Sequence, residues 1–136
     1  MIGDKELMGF ALAARHMAYA PYSGYQVGAA LITEDGQLYT GCNVENASYG
    51  ATCCAERTAI FKAVSDGKRV IKSIAISGGK GDELNMAFPC GICRQVLREF
   101  CDPKKLKVLV GTSSDDYKEY SLQELLPESF GPEALD

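Results

Sequence analysis

The amino-acid sequence predicts an α/β fold, and three observations lead there. Helical periodicity and strand-like runs alternate along the chain, which implies a sheet with helices packed on its faces. The 136 residues are 46% apolar and 24% charged, enough to bury a core. No internal repeat, low-complexity stretch or linker marks a boundary, so residues 1–136 are expected to form a single domain.

Asp4 is placed to cap a first helix, whose apolar residues Leu7, Met8, Ala11, Leu12, Ala14 and Ala18 recur at helical spacing. Pro21, in APYSGY, lies just past its end. QVGAALIT and QLYTGCNV, joined across Glu34-Asp35-Gly36, read as a β-hairpin. From Cys54 to about Asp66 the pattern is helical, with Gly67 suited to a C-terminal cap. VIKSIAIS is a strand, and GGKGDELNMAF reads as a surface loop with no assigned role. A helix opens after Pro89 in PCGICRQVLREF, and LKVLVGT is a further strand. SSDD turns the chain into YKEY, and Ser121 with Glu124 forms a capping box for the short helix SLQELL. The count is three longer helices and five strands, closed by a short helix.

Charge narrows the partners. A formal net charge of -4 and a pI near 5.0 disfavour nucleic acid, whose phosphates call for a basic patch. The densest basic cluster, Lys104, Lys105 and Lys107 beside Asp102, reads as a solvated loop. No apolar run approaches the roughly 20 residues of a membrane span. MIGDKELMGF has acids early and no basic region followed by an apolar one, so it is not expected to be a secretory signal. A cytoplasmic location follows, in which six cysteines are reduced thiols or metal ligands.

Two stretches carry the chemistry. In PCGICRQ, Cys90 and Cys93 stand one helical turn apart at a helix start, where unsatisfied N–H groups stabilise thiolates. In ATCCAERTA, Cys54 also begins a helix, and two such starts meeting at one point would gather three thiolates around a cation. Consecutive helical residues point about 100° apart, so Cys53 and Cys54 are not expected to face one metal together. Glu56 is awkwardly spaced to join Cys54 as a ligand and better placed to handle protons on a water. Three sulfur ligands suit zinc and leave a fourth position for water. Three thiolates also leave a net negative cluster, which the helix N-termini and hydrogen bonds from Arg57 would offset. His16, alone in the first helix, reads as an ordinary helix residue. A structural zinc module with Cys53 as fourth ligand is the non-catalytic alternative.

With these residues together the chain resembles the small, homotetrameric, zinc-dependent cytidine deaminases. The matching pieces are Cys54-Ala55-Glu56-Arg57 and Pro89-Cys90-Gly91-Ile92-Cys93-Arg94-Gln95, with AYAPYSGYQVGAAL, GCNVENASYG and LLPESFGPEAL. The resemblance implies a three-layer sandwich with a central mixed five-stranded sheet flanked by helices. It implies one zinc per subunit on Cys54, Cys90 and Cys93, with Glu56 as proton shuttle. Asn43 and Glu45 match the family's ribose-binding pair, and Tyr25 stands where the family often has phenylalanine against the pyrimidine. Ala55 would lend backbone groups to the base edge. Phe130 matches an aromatic that reaches a neighbouring subunit's site, and Tyr49 lies in a segment of subunit contacts. The implied reaction converts cytidine and 2′-deoxycytidine to uridine and 2′-deoxyuridine with release of ammonia. A deaminase of another nucleoside-like amine is the nearer rival, and Glu45, which would repel a phosphate, favours a free nucleoside over a nucleotide.

Overall fold

The computed structural model of the chain describes residues 2–136. Helix α1 spans Asp4–Ala14 and passes through a single 3₁₀ turn, Arg15–Met17, into extended chain. Strands β1 (Tyr25–Thr33) and β2 (Leu38–Cys42) follow, then α2 (Ala55–Ser65), β3 (Ile71–Lys80) and β4 (Glu83–Asn85). The order closes with α3 (Gly91–Glu99), β5 (Lys107–Ser113), β6 (Asp116–Ser121) and the short α4 (Leu122–Leu125).

The strands form one mixed sheet in the order β2-β1-β3-β5-β6. The hairpin of β1 and β2 is antiparallel, as its turn residues predict, and β1 runs antiparallel to β3. Strands β3 and β5 are parallel, joined through α3, and β6 returns antiparallel to β5. On the edge of β3 facing away from β1, Ser73–Ile76 pair with β5 and Gly78–Lys80 pair with β4. The sheet therefore has a sixth strand beyond the five expected.

Three layers result. On one face Leu7, Met8 and Ala11 of α1 pack on Ala30, Ile32, Ala75 and Leu109. On the other, Ala59, Ile60 and Ala63 of α2 and Leu97 of α3 cover Ala29, Leu31, Ile74, Ile76, Val108 and Val110. From Gly28 to Thr33 every residue of β1 is buried, so its apolar run serves both faces.

Four local expectations are corrected. The cap of α1 is Gly3, not Asp4: Gly3 is extended, its N–H donates to Glu6 Oε1 at 3.2 Å, and Asp4 opens the helix. The helix also stops before Ala18, whose backbone is extended. Lys107 is no loop residue; it begins β5 and its Nζ donates to both carboxylate oxygens of Asp4 at 2.8 and 2.9 Å. Residues 78–88 are no plain surface loop, because the end of β3 and all of β4 make an antiparallel hairpin there. The capping box expected at the start of α4 is present. Ser121 Oγ accepts the Glu124 N–H at 3.1 Å while Glu124 Oε1 accepts the Ser121 N–H at 2.8 Å.

Candidate active site

The site lies where β1 begins, beside the N-termini of α2 and α3. Cys54 is the N-cap of α2 and Cys90 the N-cap of α3, each with extended backbone. Close contact between α2 and β2 needs Gly41, where a Cβ would come 2.5 Å from the Ala59 nitrogen and 2.7 Å from the Ala55 oxygen. Both helices thereby aim their unsatisfied N–H groups at one point.

Three sulfurs meet at that point. Cys54 Sγ lies 3.8 Å from Cys90 Sγ, which lies 3.5 Å from Cys93 Sγ. All three fall within 4.8 Å of one another, the one such cluster of potential metal ligands among the described residues. Zinc–sulfur bonds of about 2.3 Å at tetrahedral angles put sulfurs roughly 3.8 Å apart, so the trio fits that ion. Cys53 is excluded, for a reason other than helical rotation. It precedes the helix in a β-bridge with Val44, and successive extended residues point to opposite sides. Its sulfur accepts from Thr58 Oγ1 at 3.8 Å.

Burial and charge set the acidities. Glu56 is 3% exposed, and desolvation pushes its carboxyl up to about 7, with the Cys54 charge acting in the same sense. Hydrogen bonding from Cys93, then from Arg57, pulls the Cys54 thiol down to about 5. Cys93, hydrogen-bonded to Cys54 and buried, is held above the ordinary thiol range. Arg57 Nη2 donates to Cys54 Sγ at 3.5 Å and to the Thr52 carbonyl at 3.4 Å.

A cavity of about 340 Å³ opens over this cluster, within the usual range for small-molecule sites. Tyr25, Asn43, Cys54, Ala55, Glu56 and Cys90 line it, which brings together six residues chosen from the sequence. Asn43 is fastened from both ends of its amide: Oδ1 accepts the Val27 N–H and Nδ2 donates to the Tyr25 carbonyl, each at 2.8 Å. Glu45 and Tyr49 lie instead in an adjoining cavity of about 250 Å³, with Tyr22 and Ser23. There the Glu45 carboxylate accepts from the Ser23 hydroxyl and from the N–H groups of Tyr22 and Ser23, and these bonds lower its pKa. Phe130 lines neither cavity; it is 60% exposed and its carbonyl accepts from Gln95 Nε2 at 3.0 Å. Sequence reasoning missed Thr52, which lines both cavities, and Met86, Ala87 and Phe88, which wall the first. Phe88, next to Pro89-Cys90, was the one local signal.

The model of the cytidine and deoxycytidylate deaminase zinc-binding region matches residues 1–110. The chain belongs to this deaminase family. It is 48% identical over 126 residues to the cytidine deaminase of Halalkalibacterium halodurans, spanning 93% of this chain and 92% of that one. It is 40% identical over 129 residues to the cytidine deaminase of Mycobacterium tuberculosis, spanning 95% and 90% of the two chains. The crystal structure of the cytidine deaminase from Burkholderia pseudomallei matches with a TM-score of 0.86 at 45% identity, over 95% of this chain and 100% of that one. The family model is that of a zinc-binding region, and Cys54, Cys90 and Cys93 are the residues able to hold that zinc.

Proposed function

We propose that the chain is a hydrolase that deaminates cytidine and 2′-deoxycytidine to uridine and 2′-deoxyuridine, releasing ammonia. One observation carries this reading. A carboxyl that is 3% exposed and poised near pH 7 lines a nucleoside-sized cavity beside three convergent thiols. Cys54, Cys90 and Cys93 would hold one zinc per subunit, which when bound supplies Lewis acidity that makes water a nucleophile near neutral pH.

The other steps belong to the chain. Glu56 takes one proton of the attacking water and delivers it to N3 of cytosine. It then takes the second, from the new hydroxyl on C4, and passes it to the amine that leaves as the carbonyl forms. Tyr25 flanks the ring, and the backbone of Ala55 meets the base edge at the N-terminus of α2. Asn43, held to β1 by its own amide, keeps a second N–H and a second lone pair for the ribose. Glu45 reaches the sugar from the adjoining cavity, past Thr52. Its depressed pKa keeps it charged, which favours a free nucleoside over a nucleotide. Arg57 steadies the ligand sulfurs.

The working unit is a homotetramer of single-domain chains in the cytoplasm, with no nucleic acid partner. Phe130 at 60% exposure and Tyr49 at 73% are its subunit contacts, Phe130 entering a neighbour's site. Among the described residues no helix is long and apolar enough to cross a membrane. The test incubates purified protein with cytidine, follows the loss of cytosine absorbance and measures zinc in the same sample. Uridine formation with about one zinc per chain supports the reading, whereas zinc without turnover of either nucleoside overturns it.

A further inference from the structure

Arg15 is 4% exposed, on the face of the sheet opposite the cavity. Its guanidinium makes no ion pair among the described residues. Instead Nη2 donates to the carbonyls of Gly79 at 3.0 Å and Gly81 at 2.7 Å, and Nε to that of Gln26 at 3.4 Å. Burying a permanent charge against carbonyl dipoles alone is costly, so those dipoles must be held in place. Gly28 lets the backbone at Arg15 lie this close to the sheet, since a Cβ there would come 2.1 Å from the Ala11 carbonyl oxygen and 2.4 Å from the Arg15 backbone nitrogen.

Two of the three acceptors, Gly79 and Gly81, belong to the hairpin that leads into the substrate wall, and the third, Gln26, is paired with Gly79 across β1 and β3. Gly79 pairs with Leu84 across the β3–β4 hairpin, and Gly81, at φ 56°, makes its turn. Strand β4 then delivers Met86, Ala87 and Phe88 to the cavity. Ala87 sits so tightly over Gly78 that a Cβ on Gly78 would come 2.8 Å from Ala87 Cβ and 3.1 Å from Tyr25 Cε1. The N-terminus of α3 is secured separately, because Arg94 donates to the carbonyls of Pro89 at 2.7 Å and Leu125 at 2.6 Å.

We propose that Arg15 is a positioning residue: through the carbonyls of Gly79 and Gly81 it fixes the hairpin and so sets the 86–88 wall against the base that Tyr25 flanks. This rests on the deaminase reading above. The wall touches substrate in ground and transition states alike, so its displacement weakens uniform binding and not the proton transfers. Metal retention is independent of it, since α3 has its own anchor.

The test compares zinc-loaded wild type with Arg15→Met and Arg15→Lys, measuring cytidine kinetics, zinc content and amide hydrogen exchange. Arg15→Met is expected to raise KM about tenfold, the worth of roughly one hydrogen bond to a charged group, with kcat within about threefold. Zinc stays at the wild-type level, and exchange quickens in residues 79–88. Arg15→Lys, a point charge lacking the planar fork, shows a smaller rise in the same direction and decides the matter if the Met variant fails to fold. A loss confined to kcat, a loss of zinc, or an unchanged KM in active protein overturns the proposal and leaves the deaminase reading intact. Wild type inactive on both nucleosides overturns both.

Discussion

Replacing Glu56 by glutamine should move activity and stability in opposite directions. The carboxyl is 3% exposed, and its pKa is raised from 4.5 to about 7, chiefly by desolvation. Each pKa unit is worth about 1.4 kcal/mol, so the gap corresponds to about 3 kcal/mol. The sign follows from proton counting. Between pH 4.5 and 7 the unfolded carboxyl ionises while the folded one keeps its proton, so the folded state loses stability as pH rises. Below that window the penalty is absent, and above it the penalty is complete. In zinc-free protein, where no cation offsets the charge, Glu56→Gln should therefore be about 3 kcal/mol more stable than wild type at pH 8 and nearly equal at pH 4. Cys54, pulled down to about 5, adds stability with rising pH in both proteins, and because its charge also raises Glu56 the difference between them reports the carboxyl together with that coupling. Urea titrations across pH supply the comparison. In the zinc-loaded enzyme the same change should cost at least about 10²–10⁴ in kcat, the range for a lost general acid–base. A stability gap independent of pH would refute the desolvation, and turnover within a few-fold of wild type would refute the shuttle.

Cys54→Ser should lose zinc while Cys53→Ser keeps about one per chain, since Cys53 lies outside the sulfur cluster; metal analysis of the two purified variants decides it. Arg57→Ala removes the donor to Cys54 and should weaken zinc binding by about 10–100-fold in competition with a chromophoric chelator, an effect that would be missing if Arg57 were only a surface charge. If Glu45 reads the sugar as proposed, CMP should be turned over at least about tenfold less efficiently than cytidine, because the ionised carboxylate would repel a phosphate; equal kcat/KM values would remove Glu45 from the site. Ser121→Ala loses the cap of α4 and should cost about 1 kcal/mol in denaturant unfolding at unchanged activity.

Cys54, Glu56, Cys90 and Cys93 were legible in the sequence because local rules place them. Cys90 and Cys93 sit at fixed offsets from a helix start that Pro89 marks, whereas Cys54 and Glu56 open a helix shown only by the periodicity that follows, since neither cysteine N-cap makes a side-chain capping bond. The cap of α1 was misread because Asp4 is a better intrinsic capper than Gly3, and only the structure reveals Lys107, 103 residues away, drawing the Asp4 carboxylate elsewhere. The hairpin within residues 78–88 was hidden for a related reason. Its glycines read as loop, yet they are there because β4 lies so close to Gly79 that a Cβ would come 2.0 Å from the Glu83 oxygen. Thr52 and Met86 carry no chemical signature, and they reach the cavity only by tertiary placement.

Charge explains why the site is assembled at two helix starts instead of on loops. Three thiolates around a divalent cation leave one surplus negative charge, and that surplus opposes removal of a proton from nearby water. Each helix N-terminus contributes about half a positive charge, so α2 and α3 together offset roughly one unit. Arg57 adds a full charge 3.5 Å from Cys54 Sγ, and the same Nη2 also donates to the Thr52 carbonyl, which holds the guanidinium beside the sulfur. Burial meanwhile lifts Glu56 toward 7, making it a stronger base than an exposed glutamate. The helix N-termini and Arg57 ease proton loss from nearby water, and burial favours proton uptake by the carboxyl, so both effects act in the same direction.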